Sequence, residues 1–72
     1  MTKLPVVNGQ ECIRALRKAG FVVSRQTGSH VIMKQPPLRV SVPNHRKALK
    51  PGTLSQIIKD AGLSVDEFIA LL

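Results

Sequence analysis

The apolar residues of this chain change their spacing twice, and that change fixes the order of its secondary structure. Cys12, Ile13, Leu16 and Ala19 recur at helical spacing, with Arg14, Arg17 and Lys18 off that stripe, so Gln10 to Ala19 is expected to form an amphipathic helix. Asn8 stands where an N-cap side chain accepts a backbone N–H, and Glu11, three residues later, can complete a capping box. Gly20 stops the helix. From Phe21 to Val42 β-branched residues and alternation take over in three short runs. Phe21 to Gln26 reads as a first strand, Thr27-Gly28-Ser29 as a turn, and His30 to Lys34 as a second strand. Leu38 to Val42 follows Gln35-Pro36-Pro37 as the third, its Leu38, Val40 and Val42 alternating with Arg39 and Ser41. On the second strand His30, Ile32 and Lys34 share one side and Val31 and Met33 the other, so alternation leaves the direction of His30 open.

After the basic connection from Pro43 to Lys50, helical spacing returns with Leu54, Ile57, Ile58 and Ala61. Pro51 suits the first turn of that helix, where its missing N–H costs nothing, and Gly62 ends it. Ser64 and Glu67 repeat the capping-box pattern ahead of a short third helix with Phe68, Leu71 and Leu72 as its apolar face. The expected fold class is therefore α+β: α-β-β-β-α with a short C-terminal helix, an antiparallel three-stranded sheet carrying its helices on one face. That order is the topology of double-stranded-RNA-binding domains. Residues 1–72 show no repeat, linker or low-complexity segment and read as a single domain.

A core this small leaves no room for an enclosed metabolite site, so chemistry is expected on an open face or in a shallow groove. Eleven Lys and Arg against four Asp and Glu give a net charge of +7, concentrated between Arg14 and Lys59. Such a field draws polyanions: nucleic acid, an anionic membrane or an acidic protein. Cys12 stands alone, so no internal disulfide forms, in keeping with a reducing cytoplasm. No stretch approaches the ~18 apolar residues of a membrane span, which makes the expected location cytoplasmic. There is no Trp or Tyr, and Phe21 and Phe68 fall at core positions, so backbone recognition is favoured over base stacking.

His30 enters its strand directly after Gly28-Ser29, where little side-chain bulk blocks a polymer backbone. Histidine titrates near neutrality and exchanges protons with a ribose 2′-hydroxyl or a leaving oxygen, which makes it the candidate catalytic residue. The plainer reading is a histidine hydrogen-bonded at a strand end. His45, just before Arg46 and Lys47, offers a second proton-transfer group or a phosphate contact, or is an ordinary solvated loop histidine. Lys47 and Lys50 precede the second helix, where cations and free helix N–H groups can jointly hold phosphate. Arg25, Lys34, Arg39 and Arg46 are candidates to extend that surface, against the reading of ordinary surface charge. Two His and one Cys lack metal-ligand spacing, and four scattered carboxylates form no two-metal pattern, so no metal or other cofactor is expected.

Taken in order, Gly20-Phe21, Arg25, Gly28-Ser29-His30, Val42-Pro43, His45, Gly52-Thr53-Leu54, Ile57-Ile58, Ala61-Gly62 and Phe68 resemble the HicA family of toxins, also called YcfA-like proteins. Leu4-Pro5 also fits, and the likeness spans essentially the whole chain. The resemblance implies a metal-independent endoribonuclease that cleaves messenger RNA, with His30 of the Gly28-Ser29-His30 motif as its catalytic histidine. It also implies a HicB-type antitoxin as inhibitory partner. Two rival readings use the same charge and topology: a non-catalytic double-stranded-RNA-binding module, and a protein-interaction module for an acidic partner. His30 discriminates the first, and competition between RNA and that partner the second.

Overall fold

The computed structural model describes residues 3–72. Asn8 caps the first helix, α1 (Gly9–Lys18), by accepting the Glu11 N–H at 2.9 Å while Glu11 Oε1 accepts the Asn8 N–H at 3.0 Å. At its other end the Gly20 N–H donates to the Arg17 carbonyl and the Phe21 N–H to that of Leu16, each at 3.0 Å. This Schellman pattern uses the helix's last carbonyls and turns Phe21 inward. Three strands follow, β1 (Val22–Thr27), β2 (His30–Gln35) and β3 (Leu38–Pro43), paired antiparallel in the order β1-β2-β3. The second and third helices, α2 (Pro51–Asp60) and α3 (Val65–Ala70), close the fold, α3 behind a capping box of Ser64 and Glu67.

The order and class match the sequence expectation, an α+β fold with an open three-stranded sheet. Element ends move by a residue or so: Phe21 is a core residue ahead of β1, and Thr27 belongs to that strand. Val31 and Met33 of β2 and Val40 and Val42 of β3 face the helices, packing with Leu16, Phe21, Leu54, Ile57, Ile58 and Phe68. Because the pleat alternates, His30, Ile32 and Lys34 face away from the helices. Ile32 is 6 % exposed yet stands apart from the helix-side core, so the open face carries one covered apolar residue among polar neighbours.

Helical cover stops short of β1, all six of whose residues are exposed, Val22 by 63 %. The pairing of β1 with β2 slips between Val23 and Arg25, leaving Ser24 as the extra residue of a bulge. Val23 pairs with Met33, and Arg25 with Ile32. Without the bulge Arg25 would share the side of Val23; with it, Arg25 joins Ile32 on the open face. Leu38 and Leu72, expected on buried sides, remain 36 % and 48 % exposed at the margins of the core.

Val7 and Leu49 extend that core from loop segments that periodicity does not mark: Val7 is buried, and Leu49 packs against it partly covered. They also bond to each other, the Leu49 N–H donating to the Val7 carbonyl at 2.8 Å beside a bridge between Asn8 and Ala48. Cys12 is fully buried, and burial pushes its thiol up to about 12, so it stays protonated packing material.

Candidate active-site cleft and basic surface

The hairpin from β1 to β2 turns on two residues, Gly28 and Ser29, with Thr27 paired to His30 across it. Gly28 has φ +55°, the left-handed value that the first central position of a type II′ turn demands. A side chain placed on Gly28 would meet nothing within 4 Å, so the turn stands open beside His30.

His30 begins β2 opposite Pro43, the last residue of β3, and its side chain is exposed. From Pro43 the chain is folded back rather than released. The Asn44 N–H donates to the Ser29 carbonyl at 2.6 Å, and Leu49 is held by Val7 five residues further on. The intervening residues therefore arch over the end of the sheet toward the start of α2. Between them lies an open cleft of about 580 Å³ whose walls include His30, His45, Arg46, Lys47, Lys50 and Thr53.

Lys50 is the N-cap of α2 and makes no side-chain capping bond. Pro51 carries no N–H, and the Leu54 N–H already donates to the Lys50 carbonyl at 2.9 Å. The amides of Gly52 and Thr53 have no partner within the helix, and Thr53 lines the cleft. Free N–H groups, a helix N-terminus and the cations of Lys47 and Lys50 all favour an anion at this end.

The sequence candidates fall into two groups. His30, His45, Arg46, Lys47 and Lys50 line one cleft, flanked by the Gly28-Ser29 turn. Arg25, Lys34 and Arg39 lie instead on the open face of the sheet, Lys34 directly across from Arg39. Lys34 is four residues along β2 from His30, about 13 Å at the rise of a strand. Charge on a phosphate held at His30 is therefore met by the loop cations, with Arg25, two positions away in register, the nearest on the sheet. Among the described residues no three His, Cys, Asp or Glu side chains gather as metal ligands, and no helix is long and apolar enough to cross a membrane.

The family model for the HicA toxin of bacterial toxin-antitoxin systems matches residues 9–63, from the first residue of α1 to just past α2. The chain belongs to the HicA toxin family. No curated protein matches it. HicA membership gives the chain the toxin's part in such a system and implies a cognate antitoxin. The matched span holds every residue of the cleft and omits α3.

One residue that sequence reasoning passed over holds the HicA cleft in place. Gly9 opens α1 and is buried against the β3 exit, where an added Cβ would overlap the Pro43 carbonyl oxygen and come within 2.8 Å of the Asn44 Cα. Both obstacles are backbone, so neither can rotate aside. Gly9→Ala should cost about 1–3 kcal/mol as an overpacked contact and push the histidine-bearing loop outward. Urea unfolding checks the first effect, and unchanged stability would show that the loop yields freely. A glycine before a helix carries no mark of this in the sequence; only contact with a segment 34 positions later makes it necessary.

Proposed function

We propose that this HicA-family chain is a metal-independent endoribonuclease acting on messenger RNA, with His30 as its catalytic residue. The observation that carries this reading is the exposed His30 sharing one open cleft with His45, Arg46, Lys47 and Lys50. RNA supplies its own nucleophile. The ribose 2′-oxygen attacks the adjacent phosphorus, the bond to the 5′-oxygen of the next nucleotide breaks, and a 2′,3′-cyclic phosphate and a 5′-hydroxyl result. One proton must leave the 2′-hydroxyl and one must reach the 5′-oxygen. His30 moves one of them, and His45 or water the other. Arg46, Lys47 and Lys50 stabilise the charge that builds on the phosphorane-like transition state.

The test incubates the purified protein with RNA in excess chelator and maps the ends. Cyclic-phosphate or 3′-phosphate ends paired with 5′-hydroxyls are expected. Strict dependence on an added metal, or the opposite end chemistry, refutes the reading. RNA binding without cleavage would leave the non-catalytic module.

Binding is dominated by phosphate contacts, given the +7 charge and two aromatic residues that are both buried. Affinity should fall steeply with salt, by about 0.7 in logarithmic slope for each single-strand phosphate neutralised. Lys47→Gln and Lys50→Gln should each remove about that much slope while leaving sequence preference alone. Salt-insensitive binding would overturn this account.

The antitoxin is of the HicB type and inhibits by covering the cleft, excluding RNA sterically and neutralising the field that attracts it. Amides around His30 and along the Pro43–Lys50 segment should gain protection from hydrogen exchange in the complex. An inhibited complex in which that segment exchanges as fast as in the free toxin would place the inhibitor elsewhere.

A further inference from the structure

A second groove, of about 290 Å³, runs beside the cleft, lined by Gln10, Ile13, Arg14 and Arg17 of α1 together with Asn44. We propose that RNA bound in the cleft continues over Asn44 into this groove, where Arg14 and Arg17 hold phosphates of flanking nucleotides. This rests on the reading of the cleft as an RNA site and extends it to the length of substrate engaged.

One backbone segment supplies residues to both grooves. Pro43 and His45 line the cleft, and Asn44 between them lines the α1 groove. That divide is held firmly, by the Asn44 N–H bond to Ser29 on one side and the close approach of Gly9 on the other. Gln10, Ile13, Arg14 and Arg17 fall at i, i+3, i+4 and i+7, so they present one continuous helical face about 10 Å long. Arg14 and Arg17 are exposed on it.

Among the described residues no Asp or Glu lines this groove: Glu11 caps α1 through Asn8, Asp60 accepts from Gln56, and Glu67 accepts the Ser64 N–H. Cations on both sides of one short divide fit a ligand with regularly repeated negative charge, which a phosphodiester backbone is and a single anion is not. The groove's one apolar lining residue, Ile13, is partly buried against the core, so apolar surface for docking a folded protein is scarce there.

The test titrates an RNA trinucleotide and a 16-mer into the His30→Ala protein, which holds RNA without cutting it, with and without Arg14→Gln/Arg17→Gln. Two exposed charge contacts together are worth about tenfold in affinity. The 16-mer should lose about that factor and about 1.4 in logarithmic salt slope, while the trinucleotide changes by less than about twofold. Equal losses on both lengths would show that the arginines act only through net charge, and no loss on the 16-mer would remove them from the path; either result overturns the proposal. So would a variant that binds the 16-mer normally but loses its antitoxin. Failure of the cleft reading looks different. The trinucleotide would then ignore Lys47→Gln/Lys50→Gln, while dependence of the 16-mer on Arg14 and Arg17 would still support α1 as an RNA surface.

Discussion

Replacing His30 by alanine should lower RNA cleavage by about 10²- to 10⁴-fold, the usual contribution of a positioned general acid or base, and with it should abolish growth arrest by the expressed toxin. The fold should survive. His30 is exposed at the start of β2, outside the core, and substitutions of that kind typically change stability by no more than about 0.5 kcal/mol. RNA affinity should also persist, because Arg46, Lys47 and Lys50 remain in the cleft. His45→Ala is expected to cost less, since water can move the proton that would otherwise fall to His45. Single-turnover cleavage of one labelled RNA, with thermal unfolding as control, measures all of this. A folded His30→Ala protein that cuts as fast as wild type would end the assignment of His30 as the catalytic residue.

Phe68→Ala should unfold much of the population, although Phe68 does not line the cleft. Its ring is fully buried and is the only buried residue of α3. Truncating a buried phenylalanine costs about 3–5 kcal/mol through lost transfer energy and the cavity left behind. At about 0.05–0.15 kcal/mol per residue, a chain of this length has only about 4–11 kcal/mol in total. Ile69→Ala, one position along the same helix and 36 % exposed, makes the comparison and should stay within about 1 kcal/mol. Urea denaturation of the three proteins decides it. Equal midpoints for Phe68→Ala and wild type would mean that α3 is an appendage, which its position beyond the matched residues 9–63 would otherwise suggest.

The elements and their order are legible in the chain alone, because the features that specify them act over a few residues. The caps at Asn8 and Ser64 reach three positions, the stops at Gly20 and Gly62 no more than five, and the helical stripes of Cys12–Ala19 and Leu54–Ala61 no more than one helix. The cation excess and the place of His30 after Gly28-Ser29 are equally plain, and the HicA resemblance makes His30 the catalytic candidate. Its direction is not plain, because His30 and Val31 head alternating series that read alike until the helices choose a side. Tertiary structure chose by packing Val31 and Met33 beneath α1 and α2, which turned His30 outward. It also sorted the cations. A single bulged residue at Ser24 moved Arg25 across the sheet, while strand length carried Lys34 and Arg39 far from His30. The loop cations came to His30 only because Asn44 bonds to Ser29 and Leu49 to Val7, contacts between segments 15 and 42 positions apart. Local spacing can specify which residues share a helix or a strand face, but a cleft is made by chain segments that meet only once the core has closed.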